Sequence, residues 1–95
     1  MIAAAQVRAA RALLGWSQTK LAQMAGVPLP TVERLEIGAP DPIADKAIDK
    51  LRAALEAGGV VFIPKDGGGG IGVRLHEALE GEYIGWNDLN ASNDE

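Results

Sequence analysis

The sequence contains no cysteine, which excludes a disulfide framework and any thiolate-bound metal. It has a single histidine, His76, so a histidine-rich metal centre is excluded as well. No apolar run approaches the roughly 20 residues needed to span a bilayer. The alanine-rich start, "MIAAAQVRAARALLGW", has a faint look of a transit peptide, but its apolar residues continue into the next segment. An amphipathic first helix is the better reading. The expectation is therefore a soluble cytoplasmic protein with no membrane partner. His76 has no serine or cysteine placed near it as a nucleophile, and the carboxylates near the C-terminus frame no pocket. No enzymatic activity and no cofactor are expected.

What remains is a chain of 95 residues, enough for one small domain with a modest core. Its net charge of −4 argues at first sight against a nucleic-acid partner, but the charge is unevenly spread. Residues 1–58 carry seven Lys/Arg and six Asp/Glu, whereas residues 59–95 carry two and seven. A near-neutral unit is thus followed by an acidic appendage. Phosphate binding depends on where cations cluster, so the whole-chain charge does not decide the partner.

Hydrophobic periodicity and stop signals predict four helices. The first covers Ile2 to Leu14, with Val7, Ala10, Leu13 and Leu14 towards one face. Gly15 suits its end, and Ser17 is a good N-cap for a second helix over Gln18 to Ala25. A third covers Leu29 to Leu35, with Val32 and Leu35 inward. The fourth covers Ile43 to Ala57, with a stripe of Ala44, Ala47, Ile48, Leu51 and Leu55. After "GG" at 58–59 the period changes. "VVFI" and "IGVRL" predict a two-stranded hairpin around "PKDGGGG". The expected division is a helical unit over 1–58, a hairpin over 59–76 and an acidic tail over 77–95.

The glycine run creates a formal G-x-G-x-x-G at Gly67, Gly69 and Gly72. A dinucleotide site needs a helix directly after that turn, inside a βαβ unit. Here a second strand follows, so the glycines read as a hairpin tip. The segment Ser17 to Glu36 is more specific. Two helices that cross steeply need a small residue where their backbones approach, and Ala22 supplies it. The turn between them needs a residue that tolerates positive φ, and Gly26 follows four positions later. Leu21, Val32 and Leu35 fill the angle between the helices. A plain αα-hairpin would not demand Ala22 and Gly26 together, so the spacing indicates a helix-turn-helix.

The stretch "RAARALLGWSQTKLAQMAGVPLPTVERLEIG" resembles the XRE-type, Cro/repressor-like helix-turn-helix regulators. "GVVFIPKDGGGGIGVRL" resembles the hairpin that follows this motif in a subgroup of short bacterial members. The fold class implied is mainly α, with four helices, a C-terminal β-hairpin and the acidic tail. The resemblance implies double-stranded DNA as partner, with Gln18 and the start of the second helix against a phosphate. It places the third helix in the major groove with Leu29, Pro30, Glu33 and Arg34 towards base edges. The full DNA-binding set expected is Gln18, Lys20, Pro28, Leu29, Pro30, Thr31, Glu33 and Arg34. It also pairs Arg11 with Glu36 as a structural ion pair.

The two prolines do not break the third helix, because the first N–H groups of a helix have no intrahelical acceptor. Pro30 fixes a helical φ. Pro28 stands where Ser or Thr usually caps, a loss of about 1 kcal/mol of capping. Leu29 and Pro30 offer bases only apolar contact, so polar readout falls to Arg34 and Glu33. The alternatives for Arg34 are a phosphate contact or simple exposure to solvent.

With so few polar readers, a homodimer on a palindromic operator is the expected regulator, acting as a repressor. Two short strands are not stable alone. Val60, Val61, Phe62, Ile63, Ile71, Val73 and Leu75 are therefore expected to supply a dimer interface, with Tyr83 and Trp86 at its rim. The alternative is a hairpin folded on its own fourth helix. A functional alternative is an antitoxin-like module that binds a protein partner through the acidic tail, its DNA binding serving autoregulation.

Overall fold

The computed structural model describes residues 2–38 and 41–77. The tail from residue 78 onward, including Tyr83 and Trp86, lies outside the described residues. The chain runs α1 (Ala4–Leu14), α2 (Gln18–Ala25), α3 (Leu29–Ile37), α4 (Pro42–Ala57), β1 (Val60–Ile63) and β2 (Gly72–Leu75). The helix-turn-helix fold with its hairpin is therefore as expected, and α2 and β1 begin and end where their sequence signals lie.

Local chemistry sets the helix ends. Ser17 Oγ accepts from Lys20 N–H at 3.0 Å and caps α2. Asp41 Oδ1 accepts from Ile43 N–H at 2.9 Å and Ala44 N–H at 3.3 Å, so α4 starts at Pro42, one residue earlier than expected. Proline is well suited to that first position. α1 starts two residues later than expected. Gln6 reaches back so that its Oε1 accepts from Ala3 N–H at 2.8 Å, half of a capping box. Ile2 precedes the helix and is buried.

The core joins all six elements. Val7 and Ala10 of α1, Leu21 and Ala22 of α2, Val32 and Leu35 of α3, and Ala44, Leu51, Ala54 and Leu55 of α4 form one cluster with Val60 and Phe62. Leu13, expected on the inner face of α1, is exposed at the surface instead. Helical periodicity aligns Leu14 with Val7 and Ala10, which rotates Leu13 outward.

The hairpin requires a larger correction. β1 and β2 pair antiparallel, Val60 opposite Leu75 and Phe62 opposite Val73, so these four side chains share one face. That face packs on the chain's own α1 and α4, with Val60 and Phe62 only 3 % and 9 % exposed. They are not free to meet a second chain, as the dimer expectation required. The reason is length. α4 has 16 residues, about 24 Å, enough to cover α2 and α3 and still offer a surface to β1. Ile71 lies before β2 and is half exposed.

Gln6 completes the join. Its Nε2 donates to Ile63 O at 3.2 Å and to Gly72 O at 3.0 Å, tying α1 to both strands. Arg52 of α4 lies over the outer edge of this packing, 5.6 Å from the Phe62 ring centroid. At the tip, Asp66 and Gly69 exchange two backbone hydrogen bonds, and Asp66 Oδ1 accepts from Gly68 N–H at 2.7 Å. The glycine run is therefore a tight turn. At the base, α4 passes so near α1 that a Cβ on Gly58 would lie 2.9 Å from Leu14 Cδ1 and from the Trp16 ring.

Candidate nucleic-acid interface

The turn between α2 and α3 is built on Gly26, whose φ of 69° is the left-handed conformation that closes α2. The next residue, Val27, donates its N–H to Ala22 O at 3.0 Å. The chain is thereby turned sharply, and α3 is launched across α2 with Ala22 buried between them. At the start of α3, Thr31 N–H donates to Pro28 O at 3.0 Å, and Pro30 has no N–H. Leu29 alone in this first turn has an N–H left for an outside acceptor. The prolines satisfy the helix end that they seemed to threaten.

Along α3 the face opposite the core carries Pro30, Glu33 and Arg34, all exposed, with Leu29 at its edge. These positions lie three to four residues apart and form one strip. Lys20 of α2 is exposed, and Gln18 is half-buried. Thr31, expected with them, is not on this strip. It is buried, because it sits one helical turn before Leu35 and shares its core-facing side.

Behind the strip, Glu36 collects side chains from two other helices. Its carboxylate is 4 % exposed and accepts from Arg11 Nε at 2.8 Å and Arg11 Nη2 at 2.9 Å, a bidentate pair. It also accepts from Gln18 Nε2 at 3.1 Å. Arg11 Nη1 continues to Trp16 O at 3.0 Å, and Arg8 Nη1 donates to the Glu36 carbonyl. The Glu36 hydrogen bonds raise the Arg11 pKa above its ordinary value, against the opposing effect of burial. One carboxylate thus fixes α1 and α2 to the C-terminal turn of α3, and it orients Gln18 at the start of α2. One Gln18 amide hydrogen remains free, together with the first N–H groups of α2, which suits an anion.

The sequence pattern of the helix-turn-helix family matches residues 7–58, more than half of the chain. The chain belongs to the XRE-type helix-turn-helix family. The match takes in α1 from Val7 onward and the whole of α2, α3 and α4, and ends at the glycines before the hairpin. No curated protein matches the chain at a significant level. An XRE-type helix-turn-helix protein is a DNA-binding transcriptional regulator. Among the described residues, no helix is long and apolar enough to cross a membrane.

Two features of this XRE-type interface escaped the sequence reading. One is the Gln18–Glu36 bond, for which sequence spacing carries no signal. The other is Asp41, the cap of α4, whose Oδ2 also lies 3.6 Å from Arg34 Nε. The capping role was readable, since Asp directly before Pro is a helix-start signal.

Proposed function

We propose that the protein binds duplex DNA sequence-specifically as a homodimeric repressor on a palindromic operator. In this reading α3 enters the major groove. The observation that carries it is the exposed strip Leu29, Pro30, Glu33 and Arg34, held on its inner side by the Glu36 network. A side-chain strip on a rigidly braced helix is what base readout requires. Gln18, Lys20 and Pro28 flank the strip and meet the phosphate backbone, and Arg34 takes a guanine edge.

Residues 1–58 form the DNA-binding part and residues 59–76 bring two copies together. Since Val60, Phe62, Val73 and Leu75 are used within the chain, the second copy meets the opposite face. Val61 and Ile63 are half-buried there. The protein acts in the bacterial cytoplasm, on the nucleoid.

Selection of bound sequences from a random duplex pool, together with sedimentation, tests this reading. The expected product is an inverted repeat with half-sites about one helical turn apart, bound by a dimer. Arg34→Ala relaxes one base position, and Gln18→Ala weakens all sequences alike. Enrichment of a lone half-site by a monomer would refute the dimer, and no enrichment at all would refute specific binding.

A further inference from the structure

We infer that Asp41, at the start of α4, is a positioning residue that sets the base specificity of Arg34. The inference rests on the assignment of Arg34 as a base reader. Arg34 is a long side chain, 55 % exposed, and nothing on its own helix fixes its direction. The Asp41 carboxylate, by contrast, is immobilised. Its Oδ1 holds Ile43 N–H and Ala44 N–H at the first turn of α4, so Oδ2 has a fixed place. That oxygen lies 3.6 Å from Arg34 Nε. The separation is long for a hydrogen bond but short for charge attraction.

The approach from Nε has two effects. It leaves the two terminal Nη groups of the guanidinium free, the pair that a guanine O6 and N7 accept from bidentately. It also makes the competing partner unfavourable. An arginine at a DNA surface divides between phosphates and base edges. A carboxylate beside it repels a phosphate that would approach the same cation and leaves an uncharged base edge acceptable. Asp41 therefore trades general attraction for discrimination. The cost to affinity is one cation whose attraction for phosphate is partly offset by its neighbour.

The test uses Asp41→Asn and Asp41→Ser in the full chain. Both residues cap helices well, so α4 keeps its start. Binding is measured on the preferred site, on that site altered at the base pair read by Arg34, and on random duplex, across a salt series. The expected result is about a tenfold loss of discrimination at that base pair. Random-duplex binding should tighten, and the salt slope should steepen by about one phosphate contact. In an Arg34→Ala background the same Asp41 substitutions should change neither discrimination nor slope. A residue that only caps α4 would move none of these quantities. If Arg34→Ala flattens discrimination but Asp41→Asn leaves both discrimination and slope at wild-type values, the brace is refuted while the DNA reading stands. If Arg34→Ala leaves discrimination intact, the assignment of Arg34 fails and the brace with it.

Discussion

Removing Arg11 while keeping Glu36 should be among the most damaging single changes in the molecule. Arg11→Met preserves most of the aliphatic volume and deletes the guanidinium. The Glu36 carboxylate, 4 % exposed, would then keep only the Gln18 bond at 3.1 Å. The pair is buried on the Glu36 side and part-exposed at Arg11, 4 % against 23 %. Removing Arg11 therefore costs up to about 3–5 kcal/mol, because the remaining charge is left uncompensated. The domain is small, with total stability of order 5–15 kcal/mol, so the loss is a large share. Replacing both partners, Arg11→Met with Glu36→Leu, should cost much less than the single change, since no charge stays buried. Urea titrations of the four proteins yield the coupling energy directly. The pH dependence has a definite sign. A basic group raised above its ordinary pKa contributes fully below its unfolded value and loses that contribution only as pH climbs through its folded value. Arg11 is raised, so its contribution should stay constant from neutrality to about pH 10. A single-mutant loss below about 1 kcal/mol, the level of an exposed pair, would refute the assignment of a buried hub.

Ser17→Ala should cost about 1 kcal/mol by uncapping α2, read as a lower urea midpoint with an unchanged slope. Gly58→Ala introduces a Cβ 2.9 Å from Leu14 and the Trp16 ring. It should destabilise by about 1–3 kcal/mol and shift Trp16 emission in a Trp86→Phe background; unchanged emission and stability would contradict the close approach. Gln6→Leu removes the donors to Ile63 O and Gly72 O and should cost about 1–3 kcal/mol. The amide protons of the hairpin should then exchange faster, with those of α2 and α3 little changed.

The helix-turn-helix was legible because its determinants are local. Ser17 and Gly26 bracket α2, and Ala22, Val32 and Leu35 mark the crossing at fixed spacings. The strands were legible for the same reason, as the period changes at Gly59. Partners far apart in sequence were not legible. Gln6 looks like a polar residue in an alanine-rich helix, and nothing near it announces the strands that it binds. The hairpin's inner face was misplaced because sequence periodicity shows which side chains seek cover but not which surface provides it. Thr31, which the resemblance places with the DNA-binding residues, is turned by the helical period towards Leu35 and is buried. The Asp–Pro pair announces the start of α4, but nothing local shows that the second carboxylate oxygen of Asp41 faces Arg34.

The Gln6 amide also has a consequence for how the chain folds. Its two strand contacts span 57 and 66 positions of sequence, so one of the earliest residues waits for almost the last described ones. Closing such a loop costs little more than closing a short one, about 0.6 kcal/mol for each doubling of length. The burden falls on rate and order instead, because distant contacts form late. During synthesis α1 leaves the ribosome long before the strands that complete it. Residues 7–58 can be recognised as a family unit without being a folding unit. The smallest autonomous piece of this protein should run from Ile2 to His76, and a fragment ending at Gly58 should leave the hairpin-facing part of α1 uncovered in water.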